Sequence, residues 1–197
     1  DQYVKIIDFF TLLFEASQPY KNFEKQIIFR LNGVIQSHEG ISIKEKMIPL
    51  VRREPELIHG IRNIVHNALK FSKSHVDINL ITNSTKINLE ITDDGKGFPN
   101  DITNMIGEPF LKKSNFYLME VKNRRSEEGM GLGLFIANIL LEKTNGRLKF
   151  SNIKQIENDG KKRITGAKVE ISWERSSIEV LQWDKKAKMK ENPRNVS

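Results

Sequence analysis

Apolar residues recur along this chain with two periods, and the switches between them mark its elements. Residues 6 to 16, IIDFFTLLFEA, are dense enough in apolar positions for a buried helix, which Pro19 closes. QIIFRL (26–31) is short and apolar and ends before Asn32-Gly33, a turn signal, so a strand is expected there. Residues 33–50 are weakly patterned. A helical period then starts with Pro55 in its first turn and runs to about residue 73. VDINLIT (76–82) and KINLEIT (86–92) alternate with period two around Asn83-Ser84-Thr85, the pattern of a hairpin. DDGKGFP (93–99) opens a polar, irregular stretch. It lasts until GMGLGLFIANILLEKT (129–144), which returns to a helical period and stops at Asn145-Gly146. RLKFSNI (147–153) and AKVEISW (167–173), joined through NDGKKR, read as two closing strands, and residues from about 176 onward as a helix stub or frayed tail. The order α, β, α, ββ, loop, α, ββ predicts an α+β fold. Its form is a two-layer α/β sandwich, with a mixed, mostly antiparallel sheet and helices on one face.

Composition narrows the class. The 197 residues are 38% hydrophobic and 29% charged, the profile of a globular chain of one or at most two domains. No run approaches the roughly 18 to 20 apolar residues of a membrane-spanning helix, and the start DQYVKIID lacks a basic region leading into an apolar one. The expectation is a chain that is itself neither inserted nor secreted, in a cytoplasmic setting. With no cysteine, disulfides and thiolate metal sites are excluded within these residues.

Lys and Arg exceed Asp and Glu by 32 to 25, a formal charge of +7. Much of the excess sits in two polar stretches, 111–128 and the tail 184–197 with Lys185, Lys186, Lys188, Lys190 and Arg194. No basic face interleaved with aromatics is evident, so nucleic acid is not an expected partner.

Three constellations carry chemistry. On a wheel at about 100° per residue, Leu57, Ile61, Ile64, Val65, Ala68 and Leu69 share one side of the 55–73 helix, while His59, Asn63, Asn67 and Lys70 fall within about 60° opposite. A solvated face would account for a polar stripe. Such faces favour Glu, Lys and Gln, however, because asparagine competes for backbone hydrogen bonds and lowers helix propensity. An amide oxygen suits Mg²⁺, and a lysine one turn along suits phosphate. In DDGKGFP, Asp93 at a strand end can accept from an exocyclic amine, and Gly95 and Gly97 let the backbone turn tightly beside a ligand. In EEGMGLGLFI, Gly129, Gly131 and Gly133 lead into a helix start, where backbone amides favour anions. The spacing is neither a dinucleotide fingerprint nor a Walker loop.

Taken in this order, Asn-x-x-x-Asn, D-x-G-x-G and G-x-G-x-G resemble the N, G1 and G2 boxes of the GHKL superfamily, which unites gyrase, Hsp90, MutL and histidine-kinase ATP-binding domains. PELIHGIRNIVHNALKFS, GEPF (107–110), EEGMGLGLFIANILLEKTNG and GAKVEISW look more specifically like the catalytic domain of RegB/PrrB-type sensor histidine kinases, a redox-responsive two-component family. The resemblance implies the GHKL (Bergerat) fold, with ATP and Mg²⁺ as cofactors. It places ATP contacts at Asn63, Asn67, Lys70, Phe71, Asp93, Gly95, Gly97, Phe110, Gly129, Gly131, Leu132 and Gly133. Asn67 would ligate Mg²⁺, Asn63 and Lys70 would meet phosphates, and Asp93 would accept from the adenine amine. Phe110 would sit in the F box, and 111–128 would be the ATP lid. Hydrolysing branches carry a glutamate where Asn63 stands; an amide cannot take a proton from water, which favours transfer to another nucleophile.

The same resemblance implies a phosphoacceptor histidine outside this chain. His38-Glu39 lacks the proline that should follow and reads as a loop histidine, while His59, His66 and His75 read as structural. Residues 1–20 would then be a connecting segment and first helix entering from a missing dimerisation hairpin. Residues 21–175 would be the ATP-binding domain, and 176–197 a basic tail. The implied partners are that hairpin, in a homodimer, and a cognate response regulator, with the full-length protein in the bacterial inner membrane. The rival readings are a nucleotide-binding regulator without phosphotransfer and a GHKL ATPase.

Overall fold

The computed structural model describes residues 5–36, 48–99 and 132–181. A six-stranded sheet is built from β2 (Gln26–Leu31), β3 (Val34–Gln36), β5 (His75–Thr82), β6 (Lys86–Asp93), β7 (Arg147–Ile156) and β8 (Lys162–Glu174), in the order β3-β2-β5-β6-β8-β7. Only β2 and β5 pair in parallel, so the sheet is mixed and mostly antiparallel, as expected. The helices are α1 (Phe9–Ser17), α2 (Pro55–Phe71), α3 (Leu132–Lys143) and the short α4 (Arg175–Ile178). Among the described residues, none is long and apolar enough to cross a membrane.

Alternation decides which face is covered. Val76, Ile78 and Leu80 of β5, Ile87, Leu89 and Ile91 of β6, and Val169, Ile171 and Trp173 of β8 are all buried, while their neighbours along each strand are less buried and, Ile81 apart, polar. The apolar stripe of α2 joins the same core, as do Phe9, Phe10, Leu12 and Leu13 of α1. Gly60 lets α3 approach α2 closely, since a Cβ there would stand 2.6 Å from Leu141 Cγ. At the far end of α3, Thr144 Oγ1 accepts from Trp173 Nε1 at 3.0 Å, and the Trp173 ring meets Phe9 edge-on at 5.6 Å. The opposite face of the sheet is tied by cross-strand ion pairs, Lys168 with Glu90 at 2.7 Å and Arg30 with Asp77 at 2.5 Å.

Two local expectations change. Residues 6–8 belong to a strand, β1 (Ile6–Asp8), and the helix starts at Phe9. Asp8 caps it, accepting from Thr11 N at 2.7 Å, and density of apolar residues alone does not reveal that boundary. The weakly patterned region 33–50 contains β3 at the sheet edge and the start of β4 (Leu50–Arg52), which pairs antiparallel with β1. Strands of three residues are too short for a readable period. Glu179 bridges to Val51, and Val180 N donates to Leu50 O at 2.7 Å, so the chain beyond the α4 stub lies against β4.

Candidate functional site

The carboxyl end of α2, the end of β6 and the middle of β8 meet at one place. Asp93, only 8% exposed, closes β6 with its Oδ1 accepting from Gly95 N at 2.8 Å and Ala167 N at 3.3 Å. Among the described residues no hydrogen bond falls on Oδ2, so one carboxylate oxygen is left for a donor from outside. Burial pushes this carboxyl above its ordinary pKa. The Gly95 and Ala167 amides oppose the rise, the neighbouring Asp94 charge adds to it, and the Lys25 charge reduces it.

The surrounding backbone has no slack. A Cβ on Gly95 would run into the Phe71 carbonyl oxygen and stand 2.8 Å from Asp93 Oδ1, and one on Gly166 would run into the Asp93 carbonyl oxygen. Gly97 sits at φ 79°, where other residues are strained. Phe98 beyond it is clamped by one side chain, its N donating to Asn152 Oδ1 at 2.7 Å and its O accepting from Asn152 Nδ2 at 3.0 Å.

Asp94 points the other way and ties β6 to the turn between α2 and β5. Its Oδ1 accepts from Lys73 N at 2.7 Å, and its Oδ2 accepts from Ser74 N at 3.0 Å and from Ser74 Oγ at 2.5 Å. Burial pulls its pKa up, but the Ser74 hydroxyl and the amides of Ser74, Lys73 and His75 outweigh that and hold it well below the carboxylate range.

Along α2, Asn63 and Asn67 are half-buried and Lys70 is exposed. Among the described residues neither asparagine carboxamide makes a hydrogen bond, while Lys70 Nζ stands 5.2 Å from the Phe71 ring centroid. Two of the helix-region histidines have structural contacts: His66 stacks on Tyr20 at 5.4 Å, and His75 Nδ1 lies 3.0 Å from Ser74 Oγ and 3.3 Å from Asp94. Leu132 and Gly133 open α3, and nothing described lies within 4 Å of a Cβ on Gly133. Phe110, Gly129, Gly131, the lid stretch 111–128 and His38 lie outside the described residues.

The sequence reading passed over Asp94, Asn152, Gly166 and Lys25. Asn152 bonds to Phe98 across 54 positions and Lys25 to α2 across 44 or more, so no local spacing signals them. Two cavities of about 360 and 370 Å³ lie elsewhere. One is at the amino end of α2 by Arg52 and Glu54, and the other lies between α1 and the β2–β3 edge by Phe14 and Phe29; neither is lined by Asp93 or Asn67.

The sensor histidine kinase RegB of Cereibacter sphaeroides is 36% identical to this chain over 165 residues, which are 82% of this chain and 34% of that protein. The histidine-protein kinase ArlS of Staphylococcus haemolyticus is 28% identical over 131 residues, 64% of this chain and 28% of its own length. The chain thus spans about a third of the length of the curated relatives it matches. Among solved structures, the mycobacterial sensor histidine kinase MprB matches 87% of this chain and 97% of its own with a TM-score of 0.57 at 19% identity. Full-length ShkA in complex with AMPPNP matches 92% of this chain and 32% of its own with a TM-score of 0.59 at 15% identity. At such identities these two likenesses speak for the fold. Residues 52–176 match the model of the histidine kinase-, DNA gyrase B-, and HSP90-like ATPase family, and the chain belongs to that family.

Proposed function

We propose that this chain is the ATP-binding catalytic domain of a two-component sensor histidine kinase of the RegB/PrrB type, acting in redox-responsive signalling. It would donate the γ-phosphoryl of ATP to a histidine that lies outside these residues. The observation that carries the reading is the buried Asp93 carboxylate, fixed through Oδ1 with Oδ2 left open, at the end of the helix that presents Asn63, Asn67 and Lys70. The open oxygen fits the adenine amine, and Gly95 and Gly97 let the turn after Asp93 pack closely enough to hold the carboxylate in place. The half-buried, unbonded carboxamides of Asn63 and Asn67 fit ligands that bring their own charge.

Among the described residues no three carboxylate or imidazole groups gather as a metal site. On this reading a Mg²⁺ ion would rest on the Asn67 amide oxygen and on phosphate and water oxygens, a common arrangement for that ion beside a nucleotide. When bound, it would neutralise charge on the phosphates. Lys70 would meet the phosphates, and Leu132 and Gly133, which open α3, would bring helix-start amides to them.

Asn63 separates transfer from hydrolysis. Its carboxamide can orient a phosphate but cannot accept a proton from water, so the attacking group is supplied by another segment. Transfer breaks the bond between the γ-phosphorus and the β,γ-bridging oxygen, forms a bond to an imidazole nitrogen, and releases ADP. The partners on this reading are a phosphoacceptor hairpin of the same protein, as a homodimer, and a response regulator.

The test mixes the chain with a separately made acceptor hairpin and labelled ATP and looks for acid-labile phosphohistidine on the hairpin. Tight MgATP binding without any transfer would turn the reading to a nucleotide-binding regulator. Robust steady-state hydrolysis by the chain alone would turn it to an ATPase.

A further inference from the structure

Lys25 belongs to the short segment between α1 and β2, far from every motif above, yet its ammonium reaches the end of α2. Nζ donates to Leu69 O at 2.6 Å and Ser72 O at 2.7 Å, with a longer contact to Lys70 O at 3.4 Å. The next residue is pinned as well, because Gln26 N donates to Ser74 O at 3.0 Å where β2 begins its parallel pairing with β5. The last carbonyls of a helix have no intrahelical partner, and a cation there also complements the helix dipole. By gathering the carbonyls at 69, 70 and 72, Lys25 brackets Phe71, whose own carbonyl oxygen lies against Gly95 with no space for a Cβ. The ammonium therefore fixes the helix end on which the turn after Asp93 rests.

The choice of residue argues for more than a cap. A neutral C-cap would satisfy the same carbonyls at lower entropy cost than a lysine side chain. Among the described residues, the charged groups acting on the Asp93 carboxyl are Asp94, which opposes its ionisation, and Lys25, which favours it. The elements packed on Asp93 from α2 and β8 present backbone there, the Phe71 carbonyl behind Gly95 and the Ala167 amide.

We infer that Lys25 is a positioning residue of the nucleotide site: its ammonium locks the carboxyl end of α2 against Gly95, fixing the Asn63–Asn67–Lys70 line relative to Asp93. Its charge also lowers the Asp93 pKa somewhat against the rise that burial causes. This rests on the nucleotide-site reading above.

The experiment measures MgADP affinity of the whole 197-residue chain by calorimetry from pH 5 to 8, alongside thermal unfolding, for the parent, Lys25→Met, Lys25→Gln, Lys25→Arg and Asp93→Asn. Lys25→Met should raise Kd roughly three- to tenfold at pH 7, the scale of a cation lost from a helix carboxyl end. The acid limb of its binding profile should move to higher pH, and Lys25→Arg should restore both. Lys25→Gln keeps an amide donor but no charge, so it should fold and still show the moved acid limb; it decides the matter if Lys25→Met does not fold. A parent-like profile in Lys25→Gln, or a lower Tm with no change in the pH dependence of binding, would reduce Lys25 to a structural cap and overturn the inference. No binding by the parent, or undiminished binding by Asp93→Asn, would instead remove the nucleotide site itself, and the inference with it.

Discussion

Gly95→Ala is the sharpest test of how the site is built. Gly95 is not at positive φ, so alanine is not strained there by its backbone and the objection is steric alone. The added methyl would overlap the Phe71 carbonyl oxygen, stand 3.0 Å from the Phe71 carbonyl carbon and 2.8 Å from Asp93 Oδ1. Two of these atoms are backbone at the end of α2, and the third is held by the Gly95 and Ala167 amides, so nothing can rotate away. The turn and the helix must separate. Overpacking of this kind costs about 1 to 3 kcal/mol, or roughly 2 to 12 °C in Tm for a chain of this size. A misplacement of about 1 Å between Asp93 and α2 would slow phosphoryl transfer on the order of a hundredfold and weaken nucleotide binding with it. Two other glycines calibrate the result. For Gly60→Ala the nearest atoms all belong to the Leu141 side chain, not to backbone, and for Gly133→Ala nothing described lies within 4 Å in the first turn of α3, where alanine is well tolerated. Thermal unfolding should rank the variants Gly133→Ala, Gly60→Ala, Gly95→Ala from most to least stable, and MgADP calorimetry should find the large loss at Gly95. Parent-like Tm and affinity in Gly95→Ala would refute the close contact between helix end and turn.

Other variants test separate links. Asp93→Asn should abolish MgATP binding by calorimetry yet unfold at or above the parental temperature at pH 7, because burial raises the Asp93 pKa and its ionised form therefore costs stability above that pKa. Asp94 has the opposite sign: its pKa is lowered, so the stability it contributes is present above the ordinary carboxyl value and lost as pH falls toward its folded value. Asp94→Asn should cost roughly 1.5 to 3 kcal/mol at pH 7 and flatten the acid limb of a Tm-against-pH curve. Asn152→Ala leaves both polar groups of Phe98 without their partner and should cost about 1 to 3 kcal/mol, read by denaturant unfolding, with faster amide exchange at Phe98. Asn63→Glu installs a proton acceptor and should raise phosphate release from MgATP above the parent's; no rise would mean that this position does not decide between transfer and hydrolysis.

Periodicity made most of the fold legible. Strands that bury every second residue and a helix with a continuous apolar stripe each advertise their partner face, so β5, β6 and α2 were expected nearly where they stand, while β8 begins five residues before the expected 167. The three-residue strands β1, β3 and β4 were not, because pairing and capping by Asp8 define them more than their own residues do. The site divides in the same way. Asn63, Asn67, Asp93, Gly95 and Gly97 sit in runs whose residue types conflict with plain structure, which made them visible. Asn152, Gly166 and Lys25 look ordinary in their own segments, and only the fold carries them to the end of β6 and α2.

Asp93 and Asp94 put the difference between structure and function into two adjacent residues. Asp93 is the last residue of β6 and Asp94 the first beyond it, where the chain bends, so the two side chains part. One carboxylate therefore faces the turn at Ser74, where hydroxyl and amide donors lower its pKa and its charge stabilises the fold. The other faces inward beside Gly166, where burial raises its pKa, two amides share one oxygen, and the second oxygen is unanswered by any described residue. A carboxylate kept for stability would be placed like Asp94. Holding Asp93 in the costly position makes sense when an incoming donor completes its hydrogen bonding. The stability released by Asp93→Asn and the affinity lost with it should therefore appear in the same variant, and the corresponding change at position 94 should lower stability while leaving MgADP affinity near the parent's.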